Sequence, residues 1–309
     1  MAEMPIDIAA TPSAPIEERI TFRDRTPMEA IVAYCRRNPN VVIGLSMIVT
    51  LLLISAVGPL FVDTTQADPL SALPAQSPSR HYLLGTDDQG RNLLAVMIAG
   101  LPDTLRIGFL AGAIGLGVGI ILGFVSGYLG GVVDAVIRIA VDTLLTLPGI
   151  LILITVAASI RTFISVNIMA LVIASLAWRQ PTRIIRAQVL TMRERAYVQV
   201  ARRSGMNTPE IMVREMLPNL FPFLAASFVG AVFGAILFSI GLEALGLGPQ
   251  NQPTLGMTIY WGIRFNALLR GMWWWWLPPI IMLVVLFFGL LLLTIGLDEI
   301  ANPRLRRTA

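Results

Sequence analysis

Residues 277–297 read LPPIIMLVVLFFGLLLLTIGL, a run without one charged side chain, and this stretch decides the class of fold. A helix crossing about 30 Å of hydrocarbon at about 1.5 Å per residue needs roughly 20 apolar residues. The run has that length, and a polar tail, 298–309, follows it. Towards the N-terminus, further stretches meet or approach the same length at 41–62, 107–129, 132–160, 164–178 and 220–247, of which 164–178 is short. The expected fold is an all-α integral membrane protein with about six transmembrane helices.

Composition agrees. The 309 residues are 55% hydrophobic and only 14% charged, so the chain carries more apolar surface than one soluble core can bury. All 23 basic residues are Arg, and the net charge is +4. They fall between apolar runs and not in a stripe interleaved with aromatics, which argues against nucleic acid as a partner and makes them topology signals. With the N-terminus inside, Arg19, Arg23, Arg25, Arg36, Arg37, the eight Arg from Arg179 to Arg214 and three in the tail are cytoplasmic. Only Arg80, Arg91, Arg161, Arg264 and Arg270 are then outside, with Arg106 at a span edge. Both termini are therefore expected in the cytoplasm, with membrane lipid around the spans. The expected domains are a cytoplasmic tail (1–40), a first span (41–62), an external loop (63–105), a transmembrane domain (106–297) and a cytoplasmic tail (298–309). Residues 179–219 form a cytoplasmic loop within that domain, and 248–276 an external one.

Cys35 and His81 are single, which excludes an intrachain disulfide and the usual Cys/His metal spacings. No short apolar segment with a small-residue cleavage site precedes residue 40, so a cleaved signal peptide is not expected. A chain without Lys cannot supply the Gly-Lys-Ser/Thr ending of a P-loop. No nucleophile with a base in reach can be assembled either, so no catalytic residue and no metal site is expected.

The cytoplasmic loop carries most of the information. Residues 192–203, MRERAYVQVARR, are helix formers without a breaker, and Gly205 follows where the chain can turn sharply with a positive φ. Tyr197, Val200, Ala201 and Ser204 recur at helical spacing, a small, mostly apolar face beside the Arg residues. Asn207 with Glu210 makes a capping box, while Thr208 with Pro209 is an equally good helix start. The second helix is expected to end near Met216, stopped by Leu217-Pro218-Asn219. Such a unit either lies on anionic headgroups or docks a partner.

Other candidates have two readings each. Asp134, Arg138 and Asp142 stack on one helix face, as an ion-pair ladder or as gating groups. Pro148-Gly149 loosens the same span, as a hinge or a packing irregularity. Gly115, Gly119 and Gly123 line one face and permit close helix approach. Trp273 to Trp276 form an interfacial belt or a substrate platform, and Arg91, Trp261 and Trp273 are candidates for the external mouth.

Trp178, residues 183–190 (RIIRAQVL), Tyr197-Val-Gln-Val-Ala201, Gly205 and Leu217-Pro218-Asn219 resemble the cytoplasmic loop of ABC importer permeases. The family's Glu-Ala-Ala, three residues, Gly signature is replaced here by Gln199, Val200, Ala201 and Gly205. Residues 84–92 (LGTDDQGRN), 127–131 (GYLGG) with Asp134, 147–149 (LPG), 245–248 (LGLG), Leu297-Asp298 and 302–306 (NPRLR) resemble C-type permease subunits of peptide/nickel importers. The resemblance runs over nearly the whole chain after the N-terminal tail. It implies a type I ABC importer permease fold in the bacterial cytoplasmic (inner) membrane. It further implies a heterodimer with a related B-type permease, one or two ABC ATPase subunits that hold ATP and Mg, and an external substrate-binding protein. No cofactor is implied in this chain itself. ATPase coupling would fall to Tyr197, Val200, Ala201, Arg202, Gly205, Asn207 and Pro218. Di- and oligopeptides are expected ahead of nickel, with oligosaccharides an alternative that Trp261 and the Trp run would suit. A stand-alone secondary transporter would need its coupling-ion site at Asp134, Arg138 and Asp142.

Overall fold

Apolar runs punctuated by Gly, Pro and short capping residues become helices with sharply set ends. A computed structural model describes residues 38–301, of which those from Asn40 onward form one unit. Cys35, most of the N-terminal tail and the 302–306 motif lie outside the described residues. The helices are α1 (Pro39–Val57), α2 (Leu93–Leu129), α3 (Gly131–Thr146), α4 (Gly149–Ser159), α5 (Val166–Ala177), α6 (Arg179–Met192) and α7 (Ala196–Arg203). There follow α8 (Thr208–Glu210), a π-helical segment Ile211–Met216, α9 (Leu217–Ala244), α10 (Leu255–Arg264) and α11 (Trp273–Ala301). No strand occurs among the described residues beyond an isolated antiparallel bridge between Thr86 and Asn92.

Among the described residues, four stretches are long and apolar enough to cross a membrane: Pro39–Leu60, Leu93–Leu129, Thr208–Ala244 and Trp273–Glu299. A fifth arises if α3 and α4, bent by 88° at Leu147-Pro148, count as one broken span. The remaining segment, α5, has 12 residues. At about 1.5 Å per residue it falls short of a bilayer by itself. Trp178 keeps a right-handed helical backbone, however, so α5 runs on into α6.

That continuation moves a boundary. Residues 179–192, expected within the cytoplasmic loop 179–219, form α6, which packs along α2 with Arg179, Thr182, Ile185 and Val189 buried. Hydropathy misses it because the opposite face carries Arg183 and Gln180, both exposed.

Glycine sets the α2–α6 seam. A Cβ on Gly115 would meet Ala177, one on Gly119 would meet Pro181, one on Gly123 Ile185, and one on Gly127 Val189. Each step of four on α2 matches a step of four from the end of α5 along α6, so the two run parallel at close approach. The reading of Gly115, Gly119 and Gly123 as a packing face holds. On another side of α2, Gly108 and Gly112 face Ile236 and Val232 of α9, which runs antiparallel. Leu101, Ile107 and Ala111 are fully buried there. Outward-facing Leu52, Leu53, Phe109, Ile121, Ile281 and Phe288 are exposed and suited to lipid.

A second boundary also moves. Leu217-Pro218-Asn219 does not stop the helix, which continues from Thr208 to Ala244. The π-helical turn Ile211–Met216 widens the coil just before Pro218, so the missing proline N–H falls where the hydrogen-bond ladder is already re-phased.

Candidate functional site

The helix–turn–helix beyond the bundle is held by its own small core. Val198, Ala201, Ile211 and Met216 pack with Tyr128, Ile185, Val189 and Leu220, so α7 folds back onto the ends of α2, α6 and α9. Gly205 turns the chain with φ +85°. The Asn207 side chain accepts a hydrogen bond from the Glu210 N–H at 2.9 Å, which makes Asn207 the cap, and Glu210 pairs with Arg214 at 2.5 Å. Arg202 lies over the Tyr128 ring, 5.6 Å from its centroid, and donates to its hydroxyl at 3.3 Å. Burial pushes the Tyr197 phenol above its ordinary range, so this ring stays neutral at physiological pH.

The face of α7 is not the one expected. Ala201 is 7% exposed and turned inward, whereas Val200 is 62% exposed. Four residues of apolar spacing identified a face but not its direction, and the chain's own core claims Ala201. The outward surface is made by Val200, Arg203, Ser204 and, across the turn, Val213.

Asp134, Arg138 and Asp142 do not form a ladder, since no salt bridge joins them to one another. Instead Asp134 accepts from Arg186 Nε at 2.5 Å and Nη2 at 2.6 Å, and from the Ser126 hydroxyl at 2.5 Å. A two-pronged guanidinium from α6 satisfies both carboxylate oxygens at once, which a neighbour four residues along the same helix does not. Arg138 and Asp142 stay exposed and line a cavity of about 190 Å³ with Arg183 and Arg186.

At the bend between α3 and α4, Arg179 is buried to 7% exposure. Its Nε donates to the Leu176 carbonyl at 2.9 Å, and its Nη1 donates to the Leu144 carbonyl. A cation thus sits on the carbonyl end of α3, where the helix dipole favours it, and on a carbonyl at the α5–α6 junction. It also lines a largely apolar cavity of about 390 Å³ between α5, α6 and α9.

On the opposite face, Arg91 is no part of an open mouth. It is 7% exposed and bonded through Nε to Asp87 at 2.6 Å, while Asp87 also accepts from the Gln89 and Arg91 backbone N–H groups at 2.9 Å. The LGTDDQGRN motif is therefore a loop bonded within itself, to the 66–76 segment and, through Asp88, to Arg270, ended by Asn92 capping α2. Trp275 is wholly buried with Leu93, Ala267 and Met272, Trp274 packs over Gly85, and Trp273 is half exposed. Trp261 is half-buried, in edge contact with Tyr260 and tilted against Phe265. Trp274 and Trp275 thus pack the 84–93 segment against the start of α11.

Sequence reasoning missed Glu243, the lone charged residue of α9. It is fully buried, accepting from Ser239 at 2.5 Å and Thr254 at 2.6 Å. Gly256 packs so tightly on it that no side chain would fit. A single acid in a long apolar run was signal enough to have been noticed. Among the described residues no cluster of His, Cys, Asp and Glu is arranged to hold a metal ion.

The chain is a multi-span bundle with a broken helix and a helix–turn–helix packed across the ends of α2, α6 and α9. The family model described as the binding-protein-dependent transport system inner membrane component matches residues 119–307, and the chain belongs to that family. It is 31% identical over 243 residues to a probable peptide ABC transporter permease of Sinorhizobium fredii, covering 78% of this chain and 82% of that one. It is 28% identical over 240 residues to the dipeptide transport permease DppC of Alkalihalophilus pseudofirmus, 77% of each chain. With the oligopeptide permease OppC of Mycobacterium tuberculosis it shares 29% identity over 175 residues, 57% of this chain and 60% of that one. The inward-facing methionine ABC transporter MetNI contains a chain of similar fold, with TM-score 0.53 and 16% identity over 68% of this chain and 97% of the other. The fold is that of a type I importer permease.

Proposed function

We propose that this chain is the membrane-spanning subunit of an ATP-driven importer of di- and oligopeptides, forming the path with a related B-type permease. The observation that carries this reading is the projecting segment from α7 to the π-helical turn. It is rigidly packed on its own core yet leaves Val200, Arg203 and Val213 outward, a surface suited to a partner's groove. ATP and Mg belong to one or two separate ATPase subunits, and Tyr197, Ala201, Arg202, Gly205, Asn207 and Pro218 shape the element that meets them. An external substrate-binding protein delivers solute to the face formed by the 63–92 loop and α10. Both termini lie in the cytoplasm of a bacterial inner membrane, as the Arg asymmetry favours. The dipeptide and oligopeptide permeases among the relatives favour peptide over nickel or oligosaccharide.

Reconstitution tests the reading. Liposomes holding both permeases and the ATPases, given the binding protein and ATP, should accumulate a labelled dipeptide, while this chain alone should be inert. Accumulation driven by an ion gradient without partners would make it a secondary transporter. Uptake of nickel or an oligosaccharide but of no peptide would reassign the solute.

A further inference from the structure

Arg179 has an odd position for a cation. It is buried within the bundle, no carboxylate among the described residues pairs with it, and its known bonds go only to the Leu144 and Leu176 carbonyls through Nη1 and Nε. Its Nη2 makes no hydrogen bond among the described residues and lies over Gly149: a Cβ there would sit 2.7 Å from Nη2 and 3.6 Å from Phe238. Gly149 is thus the residue that leaves room for the guanidinium, and Phe238 belongs to the wall of the cavity that Arg179 itself lines. The cavity, about 390 Å³, falls in the usual range of roughly 300–1,000 Å³ for small-molecule sites. Apart from Gln180, its other walls are apolar or small, among them Ile173, Leu176, Ser227 and Gly234. At Gly230 and Gly234 nothing stands within 4 Å of where a Cβ would be, so α9 leaves the space open. A buried cation with a free donor in an apolar recess is short of one thing, an anion with an apolar body.

We infer that this cavity is a solute site in which Arg179 holds the carboxylate of a small apolar solute, here the C-terminus of a short peptide. The inference rests on the peptide-import reading and adds a specificity-determining residue inside the membrane. Two carbonyls fix the guanidinium from behind, leaving Nη2 to point the charge. The side chains of the last residues of the peptide lie against Ile173, Leu176 and Phe238, and the open flank of α9 at Gly230 and Gly234 accommodates the rest.

The test uses the assembled permease–ATPase complex in nanodiscs without the external binding protein. Calorimetry follows phenylalanyl-alanine and its C-terminal amide. The acid should bind about tenfold more tightly than the amide, the worth of one charge-assisted bond. Arg179→Gln should remove that preference, with the amide unchanged, and Arg179→Lys should keep part of it. Gly234→Val, which fills open space without touching Arg179, should weaken both ligands. Binding of neither ligand by the wild type, equal binding of both, or a preference that survives Arg179→Gln would each overturn the site. Uptake by the complete system separates the two ideas: import of dipeptides without nanodisc binding leaves the importer reading standing and removes the site.

Discussion

The carboxylate of Asp134 is gripped by Arg186, 52 residues further along the chain, through two hydrogen bonds of 2.5 and 2.6 Å. The pair clamps the first turn of α3 to α6, and the Ser126 hydroxyl adds α2 to the same knot. Both side chains are mostly shielded from solvent, so the loss of one partner leaves a poorly solvated charge. Asp134→Asn should cost about 1–3 kcal/mol of stability. The double variant Asp134→Asn with Arg186→Gln should be no worse than either single one. Thermal unfolding in detergent measures this, and additive losses would show the two residues to be independent.

The α2–α6 seam gives a contrast on a single helix. A Cβ at Gly119 would meet the Pro181 side chain at 2.5 Å, whereas at Gly117 nothing lies within 4 Å. Gly119→Ala should therefore destabilise by about 1–3 kcal/mol through overpacking. Gly117→Ala should be neutral or slightly stabilising, since Ala is the better helix former. The yield of monodisperse protein on size exclusion reads the difference.

Glu243 ties the C-terminal end of α9 to the start of α10 through Thr254, whose hydroxyl also caps Met257. Glu243→Ala leaves Ser239 and Thr254 facing a buried void and should cost about 2–4 kcal/mol. Glu243→Gln, of equal volume and able to accept through one oxygen, should lose less. Limited proteolysis across residues 248–272 reports it, and equal cleavage of both variants would count against the carboxyl as a tether.

Orientation has a simple reporter in Cys35, which the Arg asymmetry places on the cytoplasmic side. A membrane-impermeant maleimide should leave it unlabelled in intact cells and reach it in inverted vesicles. Labelling from outside would reverse the topology and with it the role given to α7.

Length and apolarity made the long spans legible, because both are local. The glycine face of α2 was legible for the same reason, since a period of four is visible without its partner. Three features were not. The burial of α6 depends on α2 lying alongside, and its Arg residues mask that in any hydropathy window. Asp134 has two charged neighbours at helical spacing, yet its partner comes from a helix 52 residues away, which sequence spacing does not rank. Arg91 looked like surface because charged loop residues usually are, whereas its bond to Asp87 turns it inward.

The inward turn of Ala201 changes how coupling to an ATPase must be tested. Ala201→Arg would drive a long cation into the cluster of Val198, Ile211, Met216 and Val189, so it should destabilise this chain by several kcal/mol. Lost transport in that variant would say nothing about docking. Val200 is outward and 62% exposed, so Val200→Arg should leave the melting temperature within about 1 °C, as surface substitutions do. If the outward face of α7 is the ATPase contact, Val200→Arg should still abolish co-purification of the ATPase and stimulated hydrolysis, because a charge would be pressed into an apolar groove. Val213→Arg, across the Gly205 turn, should act in the same direction. Wild-type recovery of the ATPase with both variants would return this helix–turn–helix to the membrane surface, as a basic amphipathic segment and nothing more.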